Sequence, residues 1–330
     1  MIAYIDPEMP GITRRRRKSS WAYIDAEGER ITDRNEIDRL NRIALPPAYV
    51  DAWFCPSPQG HIQAIGYDAK GRRQYRYHPD FRATQEAAKY DRCADFGRAL
   101  PLLRAQVERD LAGKATARDT VIAAVVRLLD IGRIRVGNES YAKSNKSFGA
   151  TTLRNRHAKV TETKLSLHYR AKSGVLRKLT LTDKGLLRVV RRVQDLPGQN
   201  LFQYLCEDNT PCAVGSADVN AYIKEATGDD FTAKHFRTWS ASVIALDYVA
   251  AACKKGTGTK LADMLAPVAE ALGNTPAIAR KSYVHPHVVA MCNAGFTAAR
   301  LPRATRWLSP TERALIALLD ESGAALSKAA

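Results

Sequence analysis

Acidic residues are the scarce class in this 330-residue chain: 34 Asp and Glu stand against 51 Lys and Arg, a formal net charge of +17. Long apolar runs and basic amphipathic anchors are also missing. An acidic membrane surface is therefore the weaker explanation of the charge, and nucleic acid the stronger. The six cysteines (Cys55, Cys93, Cys206, Cys212, Cys253 and Cys292) form no Cys-x-x-Cys pair and have no histidine at metal-finger spacing. No metal site is expected of them; they read as reduced, mostly buried thiols of an intracellular protein. No apolar stretch near the N-terminus reads as a secretory signal, so a cytoplasmic, nucleoid-associated location is the expectation. No internal repeat or low-complexity tract stands out.

What is present suits a folded protein. The chain is 45% hydrophobic and 26% charged, ordinary for a globular protein, and long enough for two domains. Residues 1–19 include Arg14-Arg15-Arg16-Arg17-Lys18, which reads as a solvated arm or as a phosphate-contacting one. From Trp21 to about His78 the texture is β-rich, with a short helix over 35–43 and a hairpin that joins 61–67 to 72–77 around Asp68-Ala69-Lys70-Gly71. In that return strand a two-residue period puts Arg73, Tyr75 and Tyr77 on one face and Gln74, Arg76 and His78 on the other. Such a strand could line a DNA groove, with Gln reading adenine and Arg guanine, or could pack its tyrosines inward.

After Pro79 the texture turns helical. Helices are expected over 83–113, from a cap at Asp119 or Thr120 to Gly132, and over 184–193, 216–226, 232–252, 261–272, 275–284, 288–299 and 310–322. Two strands, 161–169 and 175–181, interrupt them, joined through Arg170-Ala171-Lys172-Ser173-Gly174. The fold class is α+β: a small β-rich domain over 1–82, then a larger mainly α-helical domain with a small β-sheet over 83–330.

Several polar side chains stand at element ends, where reactive groups are often displayed. Arg135 lies just past a helix, Lys172 at the hairpin tip, and Arg237 near the start of the long helix. Asn274 precedes a helix whose cap is Thr275 and whose first residue is Pro276. That helix presents Tyr283 beside Arg280 and Lys281. A phenol among cations suits attack on a phosphate, although a half-buried packing tyrosine would look the same. Spacing alone does not make these residues converge.

Taken together, Gly71 to His78, Ile134-Arg135-Val136-Gly137, the Lys172 hairpin, Lys234-His235-Phe236-Arg237-Thr238-Trp239 and Leu272 to Tyr283 resemble the type IB DNA topoisomerases, in their poxvirus-like and bacterial branch. The resemblance covers most of the chain in matching order. It implies a β-rich N-terminal DNA-clamping domain and a helical catalytic domain of the topoisomerase IB/tyrosine recombinase type, in a monomer that closes as a clamp on double-stranded DNA. Tyr283 matches the family's nucleophile, Arg135 and Arg237 its catalytic arginines, and Lys172 its catalytic lysine. Gln74, Tyr75 and Tyr77 match its N-terminal DNA-contacting motif and Tyr141 a further contact; Arg73 and Lys234 complete the expected DNA-binding set. Asn274 departs from the pattern, since viral and eukaryotic members carry histidine there. Its amide can still donate to a phosphate oxygen, but it offers no titrating group.

The resemblance implies relaxation of supercoiled DNA by transient single-strand cleavage through a 3′-phosphotyrosine, followed by religation. Covalent storage of the bond energy leaves no need for ATP, and arginines take the place of a metal ion, so no cofactor is expected. A tyrosine site-specific recombinase is the alternative enzyme. Recombinases generally carry His-x-x-Arg where this chain has Lys234-x-x-Arg237, and their N-terminal module is usually helical. A non-enzymatic DNA-binding protein would explain the charge but not the ordered set of Arg135, Lys172, Arg237 and Tyr283.

Overall fold

The computed structural model of the protein describes residues 1–18, 20–294 and 301–329. The chain divides into two compact units, Met1–Lys89 and Tyr90–Ala330. The first holds β1 (Ile12–Arg16), β2 (Trp21–Ile24), α1 (Arg34–Arg42), β3 (Val50–Phe54), β4 (Ile62–Tyr67), β5 (Arg73–Tyr77) and most of α2 (Pro79–Asp91). Its five strands form one antiparallel sheet in the order β2-β1-β3-β4-β5. One face packs Ile12, Tyr23, Phe54 and Ala64 against Leu40 of α1 and Leu45.

The arginine run is no arm. Ile12 is buried, and two residues on Arg14 points the same way, so β1 alternates with a guanidinium in an apolar residue's place. Arg14 lies over the Trp21 ring at 4.2 Å and donates to the carbonyls of Leu45, Pro46 and Tyr49. Burial lowers its pKa from the ordinary arginine value. Arg15, Arg16, Arg17 and Lys18 stay exposed; Ser19 lies outside the described residues.

The second unit comprises α3 (Cys93–Leu111), α4 (Arg118–Gly132), α5 (Glu139–Asn145), β6 (Ala158–Val160), β7 (Leu165–Arg170), β8 (Leu176–Leu181), α6 (Lys184–Val193), β9 (Gln203–Leu205), β10 (Pro211–Ala213), α7 (Ser216–Thr227), α8 (Ala233–Lys254), α9 (Leu261–Leu272), α10 (Pro276–Ser282), α11 (Pro286–Ala294) and α12 (Pro310–Ala329). Helix α4 is the centre of the core, apolar and buried nearly all round from Val121 to Leu129. It starts earlier than its expected cap, after Ala117, because Asp119 sits in its first turn, where a carboxylate complements the helix N-terminus. Of the helix expected over 288–299, residues 295–299 lie outside the described residues.

The cysteine expectation is corrected for one pair. Strands β9 and β10 form a hairpin that brings Cys206 and Cys212 to a Cα separation of 6.0 Å, within bridging reach, and they are joined as a disulfide. The other four form no disulfide: Cys55, Cys93 and Cys292 are buried and Cys253 is half-buried. Spacing along the chain carried no sign of the hairpin, which the sequence pattern left unassigned.

Candidate active site

The site is built from four places in the second unit. At the end of α4, Gly132 is the last helical residue and Arg133 turns the chain in the left-handed region, at φ +54°. The segment beyond is pinned in place: Ala150 and Thr151 donate their N–H groups to the carbonyls of Arg135 and Val136, at 2.8 and 2.7 Å. Gly137, at φ +104°, favours glycine by its backbone, and a Cβ there would lie 2.9 Å from the Thr152 hydroxyl and 3.2 Å from the Gly149 backbone. The backbone of Arg135 is thereby fixed before any substrate arrives.

Arg237 comes from the second turn of α8 and is only 4% exposed. Its Nη1 donates to the Arg133 carbonyl at 2.6 Å and its Nη2 to the Leu272 carbonyl at 3.1 Å, so one guanidinium joins the ends of α4 and α9. Its plane lies 4.8 Å from the centroid of the Tyr283 ring. Burial and the neighbouring Arg135 charge lower its pKa to about 10, partly offset by Tyr283, which leaves it protonated at neutral pH.

Helix α9 ends on Gly273, at φ +61°, and Asn274 follows; its side-chain oxygen accepts from Arg135 Nη2 at 2.9 Å. Thr275 then caps α10, its hydroxyl accepting from the Ile278 N–H, with Pro276 in the first turn. The helix is shorter than its expected span of 275–284: it ends at Ser282, and Tyr283 is its C-cap residue. Beyond it the chain is held by Ser242 of α8, fully buried, whose hydroxyl accepts from the His285 N–H at 2.9 Å and donates to the Thr238 carbonyl. Burial alone would raise the pKa of the Tyr283 phenol. The Arg237 and Arg135 guanidinia, which also donate hydrogen bonds to it, more than offset that and hold it below the ordinary tyrosine value. Two buried donors of this cluster, Arg237 Nε and Asn274 Nδ2, have no acceptor among the described residues. A buried unsatisfied donor costs roughly 1–3 kcal/mol, so an anion with several oxygens is the natural complement.

Lys172 stands at the exposed tip of the β7–β8 hairpin, where Ser173 and Gly174 both take positive φ. It lines a cleft of about 1010 Å³ together with Arg135, Asn274 and Tyr283. Tyr141 is exposed on α5, and Lys234 is exposed in the first turn of α8. In the first unit, Arg73, Tyr75 and Tyr77 form a row on β5: the guanidinium lies 5.6 Å from the Tyr75 ring, which stacks on Tyr77 at 5.8 Å. Both tyrosines are exposed, and Gln74 donates its amide to Asp68. Asp68, held by Arg72, has a pKa lowered to about 2. Two residues that the sequence pattern did not single out belong to the cleft's surroundings, Tyr169 and Arg177. The alternation Leu165-x-Leu167-x-Tyr169 points the tyrosine inward, but no sequence signal ties Arg177 to α9.

The family described as "Eukaryotic DNA topoisomerase I, catalytic core" matches residues 78–300, which takes in Arg135, Lys172, Arg237, Asn274 and Tyr283. The chain belongs to the type IB DNA topoisomerases. The family described as "Bacterial DNA topoisomerase IB, N-terminal domain" matches residues 20–68. Among named relatives, the DNA topoisomerase 1B of Acanthamoeba polyphaga mimivirus is 31% identical over 287 residues, 84% of this chain and 85% of the relative. The DNA topoisomerase 1 of Rabbit fibroma virus is 24% identical over 227 residues, 67% of this chain and 68% of the relative. A type IB topoisomerase acts on DNA, in keeping with the charge. Among the described residues no helix is long and apolar enough to cross a membrane.

Proposed function

We propose that Tyr283 is the nucleophile of this topoisomerase and that Arg135, Arg237, Asn274 and Lys172 act with it on one DNA phosphate. Tyr283 Oη, its proton lost to water, bonds to phosphorus while the bond from phosphorus to the 5′ oxygen breaks. The product is a 3′-phosphotyrosine and a 5′-hydroxyl strand. The observation that carries this reading is the Tyr283 phenol held between two guanidinia, with two buried donors beside it still unmatched. Charge accumulating on the phosphoryl oxygens meets the forked donors of Arg135 and Arg237, each worth about 3 kcal/mol in the manner of oxyanion donors. Asn274 Nδ2 adds a neutral donor where viral and eukaryotic members carry histidine. Lys172 protonates the departing 5′ oxygen, a contribution of roughly 10²–10⁴-fold. Reversal of the step reseals the strand without ATP, since the phosphotyrosine keeps the bond energy.

In this reading Arg73, Gln74, Tyr75 and Tyr77 of the β-rich unit and Tyr141 and Lys234 of the helical unit hold duplex DNA, and a single chain closes on it as a clamp, in the nucleoid. The test is relaxation of supercoiled plasmid in EDTA without ATP. The wild-type protein relaxes it; Tyr283→Phe binds the same DNA and loses activity by about 10⁴-fold or more. Full relaxation by Tyr283→Phe would remove the nucleophile from that position.

A further inference from the structure

Arg177 has no part in the chemistry above, yet its side chain is committed as fully as those of the site. It lies on β8 directly opposite Tyr169 on β7, in the same hairpin that carries Lys172 at its tip. Its guanidinium donates to the buried Tyr169 phenol. Its Nη1 and Nη2 also reach across to α9, donating to the carbonyls of Glu270 and Ala271 at 2.8 Å each. The next carbonyl, Leu272, is the one taken by Arg237. Three successive carbonyls at the C-terminal end of α9, where intrahelical partners run out and the helix dipole is negative, are thus held by two arginines from different elements. Immediately beyond them come Gly273 and Asn274. Gly273 is pressed so closely by the arginine that a Cβ there would lie 2.8 Å from Arg177 Cδ and 2.9 Å from its Nη1.

The two ends of this link differ in how else they are fixed. The Asn274 side is tied by its own N–H to the Ala269 carbonyl, by Arg135 to its side-chain oxygen and by Arg237 through Leu272. The Lys172 tip is exposed, and the bonds of the turn itself (Ala171 N–H to Val175, Gly174 N–H to Ala171) are internal to the hairpin. On the β7 side Ala171 is buried and the Arg170 carbonyl accepts from the Phe148 N–H at 2.8 Å, which anchors one leg of the turn. On the β8 side the planar fork of Arg177, five residues along from Lys172, ties the other leg to α9.

We propose that Arg177 is a positioning residue for DNA cleavage, clamping the Lys172 hairpin to the C-terminus of α9 so that the lysine meets the phosphate addressed by Asn274 and the two arginines. The proposal rests on the reading of Lys172 as the proton donor. Loss of the fork loosens the hairpin and leaves Tyr283, Arg135 and Arg237 in place. The deficit therefore falls on protonation of the leaving oxygen, and not on DNA binding or nucleophilic attack.

A 5′-phosphorothiolate, whose sulfur leaves without a proton, separates these effects. Single-turnover cleavage of a suicide duplex by Arg177→Met should fall about 10- to 100-fold with an ordinary 5′ oxygen, the cost of a small misplacement of a reacting group. With 5′ sulfur the deficit should shrink to a few-fold, and duplex affinity should be unchanged. Should Arg177→Met fail to fold by circular dichroism, Arg177→Lys, which keeps the cation but loses the planar fork, serves with the same readout. Lys172→Ala runs alongside as control. Rescue of Lys172→Ala with an equal deficit of the Arg177 variant on both substrates overturns the proposal and leaves the lysine's role standing. No rescue of Lys172→Ala overturns the proton-donor role and the positioning role with it.

Discussion

Arg237 shows how much a single side chain does here. It is buried, it spans two helix ends through the carbonyls of Arg133 and Leu272, and it lies over the Tyr283 ring. A lysine would keep the charge, but its compact ammonium lacks the planar fork that spans the carbonyls of Arg133 and Leu272 from two separate nitrogens. Arg237→Lys should therefore lower the relaxation rate by about 10²–10³-fold. It should also cost about 1–3 kcal/mol of stability. Relaxation kinetics and a urea titration of the same preparation check both; normal kinetics would mean that the fork is not used in the transition state. The candidate residues could be picked out because each stands beside recognisable neighbours in a fixed order, and Arg135, Lys172, Asn274 and Tyr283 do line one cleft. Their hydrogen bonds were not, since the partners are main-chain carbonyls from distant elements. Arg177 is the clearest case: no residue type marks Glu270 and Ala271 as acceptors.

At the scale of elements, the end of α4 that launches Arg135 is braced from behind. Arg104 of α3 forks onto Asp130 of α4, with Nε and Nη2 at 2.9 Å from its two oxygens, and onto Glu312 of α12 at 2.7 and 3.1 Å. It also donates to the Trp307 carbonyl. Glu312 further accepts from Trp239 of α8 at 3.1 Å and from the Ser309 N–H at 2.8 Å. Burial pushes the Glu312 carboxyl up, but Arg104 more than compensates and holds it below the usual range. Four helices thus meet on one buried ion cluster two residues before Gly132. Glu312→Ala should destabilise the fold by about 3–5 kcal/mol, because Arg104 then keeps only one carboxylate. Arg104→Met with Asp130→Leu and Glu312→Leu should recover most of that, since a buried ion cluster exchanged whole for apolar groups is close to neutral. Urea midpoints of the single and triple variants decide it; equal losses in both would show that packing of α12, not the charges, sets the cost. Helices α6 and α9 were legible to the residue, since apolar spacing and end signals agree there. Strand β1 was not, because Arg14 occupies an inward position that alternation reserves for an apolar side chain.

For the whole molecule, the sequence shows a change of texture at 82–83, whereas the chain divides into its two compact units after Lys89, within α2; the basic balance of +17 follows from composition. What composition does not reveal is which titrating groups the fold shuts away. In the helical unit, His285 is held at about 4 by burial and then by His287, and His157 at about 4 by burial and then by Arg156 and Arg154, both from an ordinary 6.5. Burial lowers His235 as well. Between pH 6.5 and 4 the unfolded chain takes up protons at these positions that the folded unit refuses. The unfolded state then binds more protons, so stability is highest above 6.5 and declines as pH falls through this window. The melting temperature should drop over that range, before most carboxylates titrate. His285→Asn retains a side-chain acceptor for the His287 N–H, which His285 Nδ1 now accepts at 3.2 Å, and removes the proton uptake. Its stability should therefore depend less steeply on pH than that of the wild type in the same window. Melting curves at half-unit pH steps, followed by near-ultraviolet circular dichroism, provide the comparison. Identical slopes for the two proteins would exclude His285 as a source of acid sensitivity and leave the carboxylates to account for it.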